Sequence, residues 1–171
     1  MSAKPERKSL VLGSFTVANP SGTLVADYKD PKRPVYTLRG PKLTLRSKAF
    51  DMDAKSVRMT LAGRVVVDGV AEGPVRIVLR QETGTETLLC DKAAWAAPPT
   101  GADGMLLLTG NIRWTHTGPD VEGPAEMTGS SAKVTLRGGG EGPLIELDNG
   151  VLNATPKERP KPPAKPAVPA R

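Results

Sequence analysis

The sequence predicts an all-β fold, an antiparallel assembly of ten or so strands. Apolar residues recur at every second position in one segment after another, which is the period of a strand with one greasy and one wet face. Glycine and proline clusters interrupt the chain roughly every 8 to 14 residues, and no stretch has the spacing of an amphipathic helix. Such a pattern belongs to a sandwich, a barrel or a roll.

The segment around which the rest is organised is Ser56 to Asp68. Val57, Met59, Leu61, Val65 and Val67 share one side of it, and Arg58, Thr60, Arg64 and Asp68 the other. Thirteen residues exceed the usual strand length, so the expectation is one long strand bent or bulged at Gly63.

From the N-terminus, Met1 to Lys8 is charged, contains Pro5 and is expected to lack structure. Leu10 to Val17 and Thr23 to Tyr28 read as strands joined across Asn19-Pro20-Ser21-Gly22. After the break Asp30-Pro31-Lys32-Arg33-Pro34, Val35 to Leu38 and Lys42 to Arg46 flank Gly40-Pro41. Ala49 to Lys55 reads as a turn entering the central strand, and Gly69 to Gly73 as the turn leaving it. Val75, Ile77 and Leu79 alternate with Arg76 and Arg80 in the next strand. Gly84 separates that strand from Thr85 to Trp95, where Leu88-Leu89 breaks the alternation as in a strand covered on both sides. Beyond the loop from Pro98 to Gly104, Leu106, Leu108, Ile112 and Trp114 share a face, with Gly110 near the middle. Gly118 to Gly123 turns, Ala132, Val134 and Leu136 mark a strand, Gly138 to Pro143 turns again, and Leu144 to Ala154 closes the body. The expected organisation is one domain over 9–155, followed by a Pro/Lys-rich tail over 156–171 that cannot build a core.

Composition narrows the function classes. A chain of 171 residues can bury about two thirds of its unfolded surface without a disulfide or metal staple. Aromatics are scarce, with two each of Trp, Tyr and Phe, which disfavours a surface that stacks sugar rings or bases. The net charge of +6 belongs to the tails: 1–8 and 156–171 hold the whole excess, and Ser9 to Thr155 carries sixteen basic and sixteen acidic residues. Nucleic acid is therefore not an expected partner. Within the body, Lys29 to Arg64 has ten basic and three acidic residues, whereas Val65 to Thr155 has six and twelve. That polarity suits head-to-tail association or an anionic headgroup at one end, and equally an ordinary solvated surface. No apolar run reaches the ~20 residues of a membrane-spanning helix. The segment Ser9 to Ala18 is too interrupted for a signal-peptide core.

The chain contains a weak internal repeat. Lys48-Ala49-Phe50 matches Lys92-Ala93-Ala94-Trp95, and Leu61-Ala62-Gly63-Arg64-Val65 matches Leu108-Thr109-Gly110-Asn111-Ile112, with a fainter copy from Ser131 to Gly138. The phrase Leu106-Leu107-Leu108-Thr109-Gly110-Asn111-Ile112-Arg113, with its cousin Met59 to Val67, resembles the strand motif of the OstA-like family, which includes the periplasmic lipopolysaccharide-transport proteins LptA and LptC. The resemblance extends over Thr23 to Thr155, though Arg64 stands where the motif has asparagine. It implies an open, taco-like β-jellyroll in the periplasm or cell envelope that holds acyl chains of a lipopolysaccharide-like amphiphile and joins like domains, or copies of itself, head to tail. It implies no enzymatic activity.

On that reading the lipid groove comprises Val57, Met59, Leu61, Val65, Val67, Val75, Ile77, Leu79, Leu106, Leu108, Ile112 and Trp114, with Arg39, Lys42, Arg46 and Arg58 meeting an anionic headgroup. Six buried methylenes would contribute roughly 5 kcal/mol before ordering costs. The same side chains would equally fill a core against one another. Two other readings follow from the residues: a structural β-scaffold assembling through free strand edges without a ligand, and a carbohydrate-binding jellyroll.

Catalytic and metal chemistry find little support. His116 is the only histidine, at a strand end, and Cys90 lies in an apolar strand, so a metal site or a histidine-centred triad lacks parts. Gly138-Gly139-Gly140 lacks the lysine of a phosphate loop, and Asp51 and Asp53 lack the glycine and distal glutamate of a calcium loop. Glu82, Glu86, Glu126 and Glu146 are carboxylates that nothing in the sequence pairs at a working distance. No cofactor is expected.

Overall fold

The computed structural model describes residues 9–12, 15–18, 22–47, 50–81, 84–96, 104–119, 121–137 and 143–153. The terminal segments 1–8 and 156–171 and the turns expected at 19–21, 98–103 and 138–142 lie outside them. Among the described residues there is no helix. The strands are β1 (Ser9–Leu12), β2 (Phe15–Ala18), β3 (Thr23–Asp27), β4 (Val35–Arg46), β5 (Asp51–Ala62), β6 (Val65–Gln81), β7 (Gly84–Ala96), β8 (Met105–Thr117), β9 (Ala125–Thr135), β10 (Leu144–Asp148) and β11 (Val151–Asn153).

All eleven belong to one antiparallel sheet. From β4 to β9 each strand pairs with the next in sequence. β2 and β3 follow one another along the outer edge of β4, and β10 and β11 along that of β9. The two borders do not pair, so the sheet is open and not closed into a barrel.

Apart from one beside the β5–β6 turn, between Thr60 and Leu61, register breaks fall between Arg39 and Leu43, Asp53 and Ser56, Glu72 and Val75, Leu89 and Lys92, and Thr109 and Ile112. They form a row across the sheet, because Arg39, Ser56, Glu72, Lys92, Thr109 and Ser131 are successive cross-strand partners. A bulge bends its strand, and bends aligned in neighbouring strands crease the whole sheet. Gly73 and Gly110 sit in the crease at φ of 94° and 79°, where a β-carbon would be strained.

The crease divides each long strand into a segment in a first layer (43–46, 51–53, 75–81, 84–89, 112–117) and one in a second (35–39, 56–62, 65–72, 92–96, 105–109). The ring of Phe15, on β2 beside the first layer, lies 5.8 Å from that of Trp95 in the second. In a flat sheet, four strand spacings and eight residues of strand would hold them more than ~30 Å apart. The layers therefore face one another, as the expected open roll requires.

The core is the pair of inward faces. Leu43, Met52, Ile77, Leu88 and Ile112 come from the first layer, and Val57, Met59, Leu106 and Leu108 from the second, all essentially without solvent contact. Each such side chain contributes about 1.5–3 kcal/mol by leaving water.

Several expected boundaries are corrected. Ser56 to Asp68 is a hairpin: Ala62 pairs with Val65 around Gly63 and Arg64, with Gly63 at φ 62°, as a two-residue turn matched to the sheet twist requires. A turn of two residues shifts the inward parity by one, so Val66 is buried while Val65 is 51% exposed on the outer face. β6 runs straight through the expected turn at Gly69 to Gly73, β4 runs through Gly40-Pro41, and β5 begins at Asp51 inside the expected entering turn. In the first two places glycine or proline marks a bulge, or a close approach, within a strand rather than its end. Leu10 to Val17 contains the β1–β2 hairpin, with Leu12 paired to Phe15. Leu89 is exposed, so that strand is covered on one side only.

Candidate functional site: the space between the layers

The space between the layers differs at its two flanks. On the β2–β7 flank it is closed by aromatic rings, except at the β3–β4 border, where Tyr36 is half-buried and Leu24, opposite Leu38, is exposed. Phe15 packs on Phe50 with ring centroids 5.6 Å apart and on Trp95, making an aromatic stopper. The Trp95 indole lies against Gly69, its cross-strand partner, where a β-carbon would collide with the ring. Its Nε1 is buried without a hydrogen-bond partner among the described residues.

On the β8–β11 flank the interior ends in inward apolar side chains that are only half covered. Ile145 and Leu147 on β10 stand opposite Val134 and Ala132 of β9, which are buried. With Trp114 and Leu136 they pack against the core yet remain partly in solvent. These side chains form an apolar margin continuous with the buried interior.

Between these flanks one polar cluster interrupts the lining. Glu86 is buried and stands between Leu79 and His116 on neighbouring strands. Its carboxylate accepts a hydrogen bond from Trp114 Nε1 and pairs with His116 Nδ1 at 2.6 Å. Burying a carboxylate is costly unless donors satisfy it, and these two supply that compensation.

Of the expected groove residues, Val57, Met59, Leu61, Val75, Ile77, Leu79, Leu106, Leu108 and Ile112 all face inward and are buried, and Trp114 lies at the open margin. Val65 points outward because of the hairpin at Gly63, and Val67 is half-buried at the adjoining register break, where Asp68 rather than Val67 pairs with Thr60. Leu136, Ile145 and Leu147, which line the margin, were not in the expected set. Their signal was the alternation of Ile145 and Leu147 with Glu146 and Asp148.

The expected headgroup cations do not meet the groove. Lys42 and Arg46 stand on the outer face, around a cleft they share with Arg76 and Arg80, which sequence reasoning did not include. Arg39 and Arg58 lie on the outer face of the other layer, across the crease.

The groups weighed for chemistry are dispersed. Glu126 pairs with Arg113 at 3.1 Å and Glu146 with Lys133 at 3.7 Å on the outer face, and Glu82 lies outside the described residues. Asp51 and Asp53 are engaged by Arg80 and Arg76. Cys90 lies four residues along β7 from Glu86, the partner of His116, which puts the thiol's strand position roughly 13 Å from the imidazole's. Burial, and then the neighbouring Asp91 charge, push the Cys90 thiol up to about 12, against a smaller opposing effect of a backbone hydrogen bond at Lys92. A thiol held neutral in this way is a poor nucleophile. Among the described residues no three His, Cys, Asp or Glu side chains are grouped to hold a metal ion, and no helix is long and apolar enough to cross a membrane.

Comparison with protein-family models and with curated proteins finds no match for this chain.

Proposed function

We propose that the protein is a non-enzymatic lipid-binding module of the cell envelope, related to the OstA-like family. It takes the acyl chains of a lipopolysaccharide-like amphiphile between its layers at the β8–β11 flank and passes them to neighbouring domains joined at its borders. The observation that carries this reading is the half-covered apolar margin of Trp114, Leu136, Ile145 and Leu147, continuous with an aliphatic interior. Water-exposed apolar surface of this kind is stabilised by any chain that covers it, at about 0.8 kcal/mol per methylene. Among the described residues both borders are also free of a partner strand and carry exposed apolar residues, Val11, Leu24 and Val25 on one and Leu144, Val151 and Leu152 on the other. Such edges accept a further strand.

Leu61 and Ile77 are buried in the sealed core, so an aspartate at either would unfold the protein rather than report on a ligand. The informative variant is the double substitution Ile145→Ser with Leu147→Ser at the margin. Titration with purified lipopolysaccharide or a fluorescent fatty acid is expected to saturate for the native chain and to weaken about tenfold or more in this variant, given two lost apolar contacts. Unchanged affinity would overturn the reading.

One observation favours the ligand-free scaffold. Leu43, Val57, Met59 and Leu108 have no solvent contact at all, so the sealed flank leaves no room for cargo, and the apolar borders suffice for assembly. Concentration-dependent self-association with no amphiphile binding in the same titration would select it.

A further inference from the structure

On the outer face of the first layer, opposite the core, lies a cleft of about 350 Å³. Its shape follows from the order of side chains across three strands. The middle strand, β5, presents the short carboxylates Asp51 and Asp53, and β4 adds the small Thr44 beside Asp53. The flanking strands raise long cations on both sides, Lys42 and Arg46 from β4 and Arg76 and Arg80 from β6. Short residues form the floor and long ones the walls.

The charges inside are not balanced. Asp51 is taken by Arg80, and Asp53 accepts a hydrogen bond from Thr44 Oγ1 at 2.9 Å and pairs loosely with Arg76 at 3.9 Å. Four cations against two carboxylates leave two positive charges in excess. Lys42 and Arg46 have no carboxylate within ion-pairing distance among the described residues, and Arg76, held by one long contact, keeps donors to spare. Lys42, Thr44 and Arg46 occupy alternate positions of β4, so both cationic side chains rise from the same face within roughly 13 Å and can bend over Thr44 toward Arg76.

We propose that this cleft is a binding site for a doubly charged oxyanion, a phosphomonoester or diphosphate group, gripped by Lys42, Arg46 and Arg76. It is separate from the space between the layers, and it stands whether or not that space takes a lipid. Charge-assisted bonds from two guanidinium groups and an ammonium match the tetrahedral oxyanion, and the excess of two charges matches its own. Asp53 is the one opposing group, and it holds Thr44 and Arg76 in place from below.

The test is titration of the full chain with inorganic diphosphate at low ionic strength, followed by calorimetry and amide chemical shifts. Saturable binding is expected, with shifts centred on Thr44, Asp53 and Arg76. The double substitution Lys42→Ser with Arg46→Ser is expected to weaken it about tenfold or more, and Asp53→Asn, which removes a like charge, to tighten it about threefold. Both variants change side chains on the outer face, and their melting curves check that the core is intact.

A second arm separates the sources of the phosphate group. Vesicles of equimolar phosphatidylcholine and phosphatidic acid, whose headgroup is a phosphomonoester, that retain the protein, and release it on adding diphosphate, assign the cleft to a lipid headgroup. Diphosphate binding without vesicle retention assigns it to a free phosphate compound. Absence of saturable binding in both arms, or affinity unchanged by the Lys42→Ser, Arg46→Ser pair, overturns the proposal. The Ile145→Ser, Leu147→Ser variant should leave diphosphate binding unchanged, so failure here and failure of the interior lipid reading are told apart.

Discussion

The two flanks of the layered sheet are built from the same alternating strands and end in different states. From β4 to β7 most inward side chains meet a counterpart from the facing layer, and Leu43, Met59, Ile77 and Leu88 lose all contact with water, while Tyr36 and Leu24 at the β3–β4 border keep some. Between β8 and β11 the alternation continues through Ile145 and Leu147, but nothing faces them fully. Alternation therefore establishes that a residue points inward, while burial needs a second layer opposite it. The same molecule supplies stability at one flank and a capacity for contact at the other.

The strongest way to break this contrast is to truncate equivalent side chains on each flank. Leu88→Ala or Ile77→Ala, in the sealed flank, is expected to cost about 2–5 kcal/mol by urea denaturation, since a cavity remains where no neighbour can collapse. Leu147→Ala, at the open margin, should cost about 1 kcal/mol or less because solvent already reaches it. Equal losses at both places would mean that the margin is as closed as the core.

Gly69 tests the stopper itself. Gly69→Val drives a branched side chain into the Trp95 ring and is expected to cost about 1–3 kcal/mol. A red shift of tryptophan emission should accompany it as Trp95 is displaced, whereas native emission with native stability would show that the ring has room to move.

Cys90 reports on the sealed flank through pH. Its thiol stands at about 12 in the folded chain, raised from an ordinary 9.0. As pH rises the unfolded chain gives up its proton first, so the stability this neutral thiol contributes is complete below about 8.5 and is lost progressively as pH climbs toward 12. Cys90→Ala should flatten that alkaline decline. In the native protein at pH 8 the thiol should also resist alkylation, and rapid labelling without unfolding would show the flank to be open.

The smallest expected effect on stability is at the borders. Val25→Lys or Leu152→Lys changes an exposed position and should move stability by no more than about 0.5 kcal/mol. If the borders join domains, self-association should nevertheless fall, because a lysine on a free edge opposes strand addition. Unchanged association in sedimentation would remove the borders from any assembly.

Much of this fold was legible in the chain. Period-two runs such as Val75-Arg76-Ile77-Val78-Leu79 and Leu106-Leu107-Leu108 identified strands and the face each buries, because that spacing is a property of extended backbone alone. Glycine was harder to read. Gly63 makes a hairpin turn, Gly73 and Gly110 make bulges in the crease, and Gly69 makes room for an indole. The apparent match between Gly63 and Gly110 joined a turn to a bulge. The true counterpart of Gly110 in the crease is Gly73, which the expected turn at Gly69 to Gly73 concealed. The candidate groove was named from inward parity, so its central members were found and its accessible ones, Leu136, Ile145 and Leu147, were missed. The outer cleft escaped because Arg76 and Arg80 are thirty or more residues from Lys42 and Arg46 and meet them only through strand pairing.

By itself the sequence determined that this protein is all-β, which side chains turn inward along most strands, and where the neutral body gives way to basic tails. Those properties follow from local periodicity and composition. Tertiary structure decided that the sheet creases, which flank closes, which apolar residues stay wet, and which distant cations share a cleft. Each of these depends on a register between strands far apart in the chain, and a period of two is the same for every register that shifts by two.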